Sequence, residues 1–314
     1  MRFLTTGPGR ATRSPNCRSI ASIVIAVEVA DMCPSKTHNH SDVERLQSAH
    51  RGQADLPTSG KDRCLAARSV PRLDHVSAKE VEKIVEAAQG LQVEPRGDRW
   101  CHLSLCVIDA VFSIGARYGS TWRAARRYAT HAGLDPATAP AREVAPGDVV
   151  GGEQPLDDFR ADVSGLSEDD LAEILGNRQR TSSRGGILKA LAARQYVEVL
   201  ASHEVQTLRD VSILLCHQSG LVEVEAELAR VRGHGAGVRV TYLWMLAGGD
   251  DHVKADRMVI RWASQVLGRQ VRPNKAADLV IDAAASLGAT PWELDHAIWR
   301  RKAGSLRPRQ GRAR

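Results

Sequence analysis

From Ser77 onward, apolar residues recur at helical spacing through most of the chain, and strand-like alternation is nearly absent. Before that point the pattern differs. Residues 1 to about 75 are rich in Arg, Ser, Thr, Pro, Gly and His, and their short apolar run, Ile20 to Ala30, is interrupted by Glu28; this predicts a flexible extension. Order is predicted to begin at Ser77-Ala-Lys-Glu80, a capping box after which Val81, Ile84, Val85 and Ala88 fall on one helical face. A second helix spans about Trp100 to Arg117, with Leu103, Val107, Ala110, Val111 and Ile114 forming a wide apolar face suited to the interior. A basic helix, Thr121 to Tyr128, follows. Residues 133–165 carry four prolines and read as a long connection or insertion.

Further along, Ser167 caps a helix through Leu171, Ile174 and Leu175, and Gly186 to Leu200 gives another. Short helices at about 208–215 and 222–231 lead to a glycine-rich turn. Beyond it the pattern predicts helices at 257–267 and 275–287, closed by Gly268 and Gly288, and a last one from Thr290-Pro-Trp-Glu293. Only Val238-Arg-Val-Thr-Tyr242 alternates like a strand. The expectation is an all-α fold of nine to eleven helices, with an ordered domain at 76–302 and a basic tail at 303–314.

Composition narrows this modestly. The 314 residues are 43% hydrophobic, ample for a core, with a formal charge of +6 and a pI near 9.1, which suits a polyanionic partner without requiring one. From Arg300 to Arg314 there are seven basic residues and no acid: a solvated tail, or an arm that contacts phosphates. Cys17, Cys33, Cys64, Cys101, Cys106 and Cys216 form no Cys-x-x-Cys pair, so no zinc site and no iron–sulfur cluster is expected. The Ile20 to Ala30 run is shorter than the roughly 20 residues a spanning helix needs, and no cleavage site for export follows it. A reduced, cytoplasmic protein with no membrane partner is the expectation.

Two segments carry candidate chemistry. In Arg232-Gly-His-Gly-Ala-Gly-Val-Arg239, glycines at 233, 235 and 237 permit positive φ, so successive N–H groups at a helix start could point at a phosphate oxygen. An ordinary glycine-rich link between helices explains the same residues. Asp256, in Lys254-Ala-Asp256-Arg257, is placed as a helix N-cap whatever the protein does. Cap and active-site roles can coincide. A carboxylate at a helix start beside Lys254 and Arg257 suits an anion, and an anion is what N-glycosidic cleavage uses to stabilise oxocarbenium-like charge and orient water.

In their order along the chain, these segments resemble the helix-hairpin-helix DNA glycosylase superfamily that includes endonuclease III, over roughly Leu103 to Arg301. Leu103 to Ile114 resembles the first buried helix of the family's six-helix domain, and Arg184 to Leu191 the helix before the hairpin. Residues 231–240 correspond to the hairpin, Asp256 to Arg261 to the aspartate-bearing helix, and Glu293 to Arg300 to the closing helix. The resemblance implies a two-lobed helical domain and a monomer bound to double-stranded DNA. It implies a monofunctional base-excision glycosylase with Asp256 as the catalytic residue. Gly233, His234, Gly235, Gly237 and Arg239 would contact DNA, with Arg117 or Tyr118 as a wedge in the gap left by a flipped base. No cofactor is implied beyond a possible monovalent cation on the hairpin carbonyls. Arg239 stands where bifunctional members carry a Schiff-base lysine, so no lyase activity is expected. The four-cysteine cluster motif of many members is absent as well. A non-catalytic helix-hairpin-helix DNA-binding module and a helical interaction protein without a nucleic-acid partner remain as alternatives.

Overall fold

The computed structural model describes residues 76–116, 118–144, 147–148, 151–234 and 237–305. The extension at 1–75, Arg117 and Gly235 therefore lie outside the described residues. Twelve helices account for most of the described chain, accompanied by one short antiparallel ribbon. The chain is all-α in class, with one or more helices than the sequence predicts.

Helix α1 (Ala78–Gln89) starts as its capping box requires: Ser77 Oγ accepts from the Glu80 amide at 3.4 Å, and Glu80 Oε2 accepts from the Ser77 amide at 3.1 Å. Strand β1 (Asp98–Trp100) follows and pairs with β2 (Thr138–Pro140), Arg99 opposite Ala139. Between them lie α2 (Leu103–Ser113) and α3 (Tyr118–His131). Every residue of α2 from Leu103 to Phe112 is buried, Asp109 among them, as the nearly uninterrupted apolar text demands.

The connection predicted at 133–165 holds both β2 and a helix, α4 (Leu156–Val163), whose Leu156, Phe159 and Val163 face inward. Helices α5 (Glu168–Ile174), α6 (Lys189–Ser202), α7 (Leu208–Leu215), α8 (Gln218–Leu228) and α9 (Val238–Ala247) complete this part. The alternating Val238 to Tyr242 segment is the first half of α9, not a strand. Nearly the whole of that helix is buried, so apolar residues occupy every face and the helical period disappears from the sequence. Helix α2 is the hub, with α3, α6 and α9 packed around it.

A second group comprises α10 (Arg257–Leu267), α11 (Pro273–Leu287) and α12 (Pro291–Ser305), and α1 returns from the start of the domain to join it. Two apolar cores result. The larger runs from Trp100 to Ala247, and the smaller unites Ile84 and Ala88 with residues such as Trp262, Leu279, Leu294 and Ile298. Glu80 fastens α1 to this second core through Lys275 at 2.9 Å and through Arg269, and these partners hold its carboxyl down at about 2. The larger core has its own clasp. Glu153 Oε1 accepts the Leu103 amide at 3.2 Å and the Leu208 amide at 2.8 Å, capping α2 and α7 together.

Candidate functional site

The two cores meet where α9 ends and α10 begins. Arg96 donates to Met245 O and to Asp250 Oδ1, both at 2.9 Å, Arg99 pairs with the other oxygen of Asp250, and the Trp292 amide donates to Asp250 O at 2.8 Å. This locks the 249–256 turn to both cores.

Asp256 is the N-cap of α10, with extended backbone and a half-buried side chain. Its Oδ1 accepts the amides of Met258 at 2.6 Å and Val259 at 3.4 Å. Both cap bonds end on Oδ1, and no hydrogen bond from a described residue ends on Oδ2.

Lys254 stands beside it. Its amide donates to Asp295 Oδ2 on α12 at 2.7 Å, its ammonium donates to Ser113 Oγ at the end of α2 at 3.2 Å, and that ammonium lies 3.6 Å from the ring centroid of Tyr242 on α9. Burial lowers the lysine's pKa, and the charges of Asp256, Asp109 and Asp295 pull it back up. Asp109, fully buried on α2, accepts Trp100 Nε1 at 2.9 Å, and burial raises its carboxyl. Asp295 is raised to about 7, first by burial and then by the charge of Asp256, against the opposing Lys254 amide and ammonium. One amine and three carboxyls from both cores thus share one neighbourhood. Asp256 holds the half-buried position in it, and Asp295 exchanges its proton near neutral pH.

The hairpin joins α8 to α9. Gly233 and Gly237 have φ of +81° and +83°, where other residues are strained. Gly233 has a second reason: a Cβ there would lie 2.2 Å from Thr181 Oγ1. Gly237 is the N-cap of α9 and offers no side chain to its first-turn amides. His234 is half-buried, with Nδ1 3.2 Å from Tyr196 Oη, and its pKa is lowered by burial and then by the Arg239 charge. Arg239 is 0% exposed, so its side chain faces the interior of the larger core and offers nothing to a duplex in this conformation. Tyr118 opens α3, and its neighbour Arg117 lies outside the described residues.

Sequence reasoning passed over Asp109, Asp295 and Lys189. Each had a visible signal, a lone charge on a helical face otherwise occupied by apolar residues, as in Leu103-Ser-Leu-Cys-Val-Ile-Asp109. His252 turns to Asp251, at 2.9 Å. Trp100, Trp244 and Trp262 are core, whereas Trp292 and Trp299 sandwich His296 on a half-exposed face of α12. No group of three or more potential ligands among the described residues is arranged to hold a metal ion, and none of their helices is long and apolar enough to cross a membrane.

The class defined by these observations is an all-α protein with two cores that meet at a lysine–carboxyl cluster, one core carrying a glycine hairpin. The chain belongs to DUF8548, a family described as a domain of unknown function, which it matches over residues 79–303. No curated protein and no solved structure matches it.

Proposed function

We propose that this protein binds double-stranded DNA as a monomer and acts as a monofunctional N-glycosylase on a damaged or mispaired base. The observation that carries the reading is the state of Asp256. One oxygen is anchored by two helix amides, which fixes the carboxyl in position, and the cap leaves the other oxygen available for water or for a sugar developing positive charge. The division of the helices supports it: α1 with α10 to α12 forms one core, and α2 to α9 with Trp100 of β1 form the other, in keeping with the two-lobed domain that the resemblance implies. In this reading the backbone at Gly233, Gly235 and Gly237, with His234, grips phosphate without reading sequence, and a monovalent cation can sit on the hairpin carbonyls. Tyr118 or Arg117 fills the gap left by the extruded base. Arg239 drops out of the DNA-contacting set because it is enclosed.

A panel of duplexes, each with one modified or mismatched base, tests the chemistry when alkali is used to reveal abasic sites. Wild type releases a base from at least one member, and Asp256→Asn, which retains the cap, releases it at least about 100-fold more slowly. Equal rates for both proteins would remove Asp256 from the mechanism. The non-catalytic DNA-binding module is the outcome if duplex is bound and no base is released.

A further inference from the structure

Arg239 has no counter-charge among the described residues, and what it meets is the neutral ring and hydroxyl of Tyr196. Its side chain is 0% exposed, and Nε, Nη1 and Nη2 all lack a hydrogen-bond partner. A guanidinium keeps its charge at physiological pH, so deprotonation cannot relieve the burial. Nor do its surroundings supply a counter-charge. Its centre lies 5.9 Å from the Tyr196 ring centroid, and its charge acts on Tyr196, His234 and Lys189, two of which can themselves be cationic.

Lys189, 1% exposed, is a second buried cation, but its position is accounted for. The ammonium donates to Phe112 O at 2.9 Å, Ile114 O at 2.7 Å and Gln179 Oε1 at 3.0 Å, so it caps the carbonyl end of α2 with neutral acceptors. Its pKa falls to about 8, by burial and then by the Arg239 charge. No carboxylate of a described residue is within ion-pair distance of either cation. Arg239 also sits in the first turn of α9, where helix amides add positive potential and Gly237 supplies no capping side chain. Burial, a neighbouring cation and an uncapped helix start all oppose the guanidinium, and all would favour a negative charge.

We infer that a small inorganic anion binds at the Arg239 guanidinium, among Tyr196, Lys189 and the start of α9. Enclosure selects a free ion such as chloride or inorganic phosphate over the phosphodiester of a duplex. The site needs no chemistry at Asp256, so it stands whether or not the glycosylase reading does.

The test uses the full chain. Thermal unfolding is followed in sodium chloride and in sodium phosphate, each balanced to constant ionic strength with sodium gluconate, whose bulky anion cannot enter a closed site. The expected result is a saturable rise in Tm with chloride, phosphate or both, on the order of 5 °C at a hundredfold excess over Kd, and no such rise in Arg239→Met. Crystals of wild type soaked in bromide should show an anomalous peak at hydrogen-bond distance from the guanidinium, which keeps the site testable if the variant does not fold. Unfolding that is indifferent to which anion is present, a rise shared by Arg239→Met, or bromide absent from Arg239 would each overturn the site.

Discussion

Two helix starts, those of α9 and α10, pair a cation with the end of a turn, Arg239 fully buried and Lys254 half-buried, and they differ in everything around it. At α10 the cation is Lys254, faced by Asp109, Asp256 and Asp295, and an aspartate caps the helix. At α9 the cation is Arg239, faced by Lys189 and by no carboxylate of a described residue, and a bare glycine caps the helix. Helix starts favour negative charge in general, so a carboxylate satisfies one from within the chain and the other is left for something external. This difference is the basis of the two proposals, proton and water chemistry at α10 in the glycosylase reading and anion binding at α9.

The largest expected effect sharpens the α10 side. Asp295 ionises near pH 7 when folded and near 3.8 when unfolded, so the folded state holds a proton that the unfolded chain releases. The contribution of Asp295 to stability is therefore fully present below about pH 4, falls as pH rises to about 7, and is level above it, for a change of about 4 kcal/mol, while Glu80, held at about 2, contributes with the opposite sign below about pH 4.5. Denaturant titrations at a series of pH values should show this slope reduced in Asp295→Asn. The wild-type minus variant difference is the quantity to follow, because Glu153, raised to about 7 by burial, adds a parallel slope. A variant with an unchanged slope would break the assignment.

Removing each cation in turn sets the two helix starts against each other. Lys254→Met strips the compensating charge from buried carboxyls and should destabilise by about 3 kcal/mol. Arg239→Met in gluconate removes a buried charge that lacks a partner and should be neutral or stabilising. Equal losses would contradict the comparison. A smaller effect reports on the hairpin. Gly233→Ala meets both a positive φ and the Thr181 side chain, whereas Gly237→Ala meets only the φ, so the first should be the more costly by about 2 kcal/mol in denaturant unfolding.

Local capping made much of the fold readable in the sequence. Ser77 with Glu80, Ser167, Thr290 with Glu293, and the closing glycines 268 and 288 all mark the helix ends that form. Tertiary burial hid the rest. Buried almost all round, α9 lost its helical period and presented Val238 to Tyr242 as alternating text. The three-residue ribbon strands and the eight-residue α4 are too short to build a recognisable period. For the candidate site, Asp256 was legible because capping is local. Its partners Asp109 and Asp295 are separated from it by long stretches of chain, and only the meeting of the two cores brings them near. Arg239 shows the converse: a basic residue beside a glycine turn reads as a surface grip, and α9 rotates it inward.

The account rests on Asp256 presenting an anion to a sugar that becomes cationic, and this can be measured without knowing the damaged base. Duplexes carrying a cationic pyrrolidine in place of one deoxyribose mimic the transition state, and an uncharged tetrahydrofuran abasic site provides the reference. Wild type should bind the cationic duplex on the order of 100-fold more tightly than the neutral one, and Asp256→Asn should lose most of that preference while keeping its fold. Equal affinity of wild type for the two duplexes, or a preference that survives in Asp256→Asn, would contradict the account.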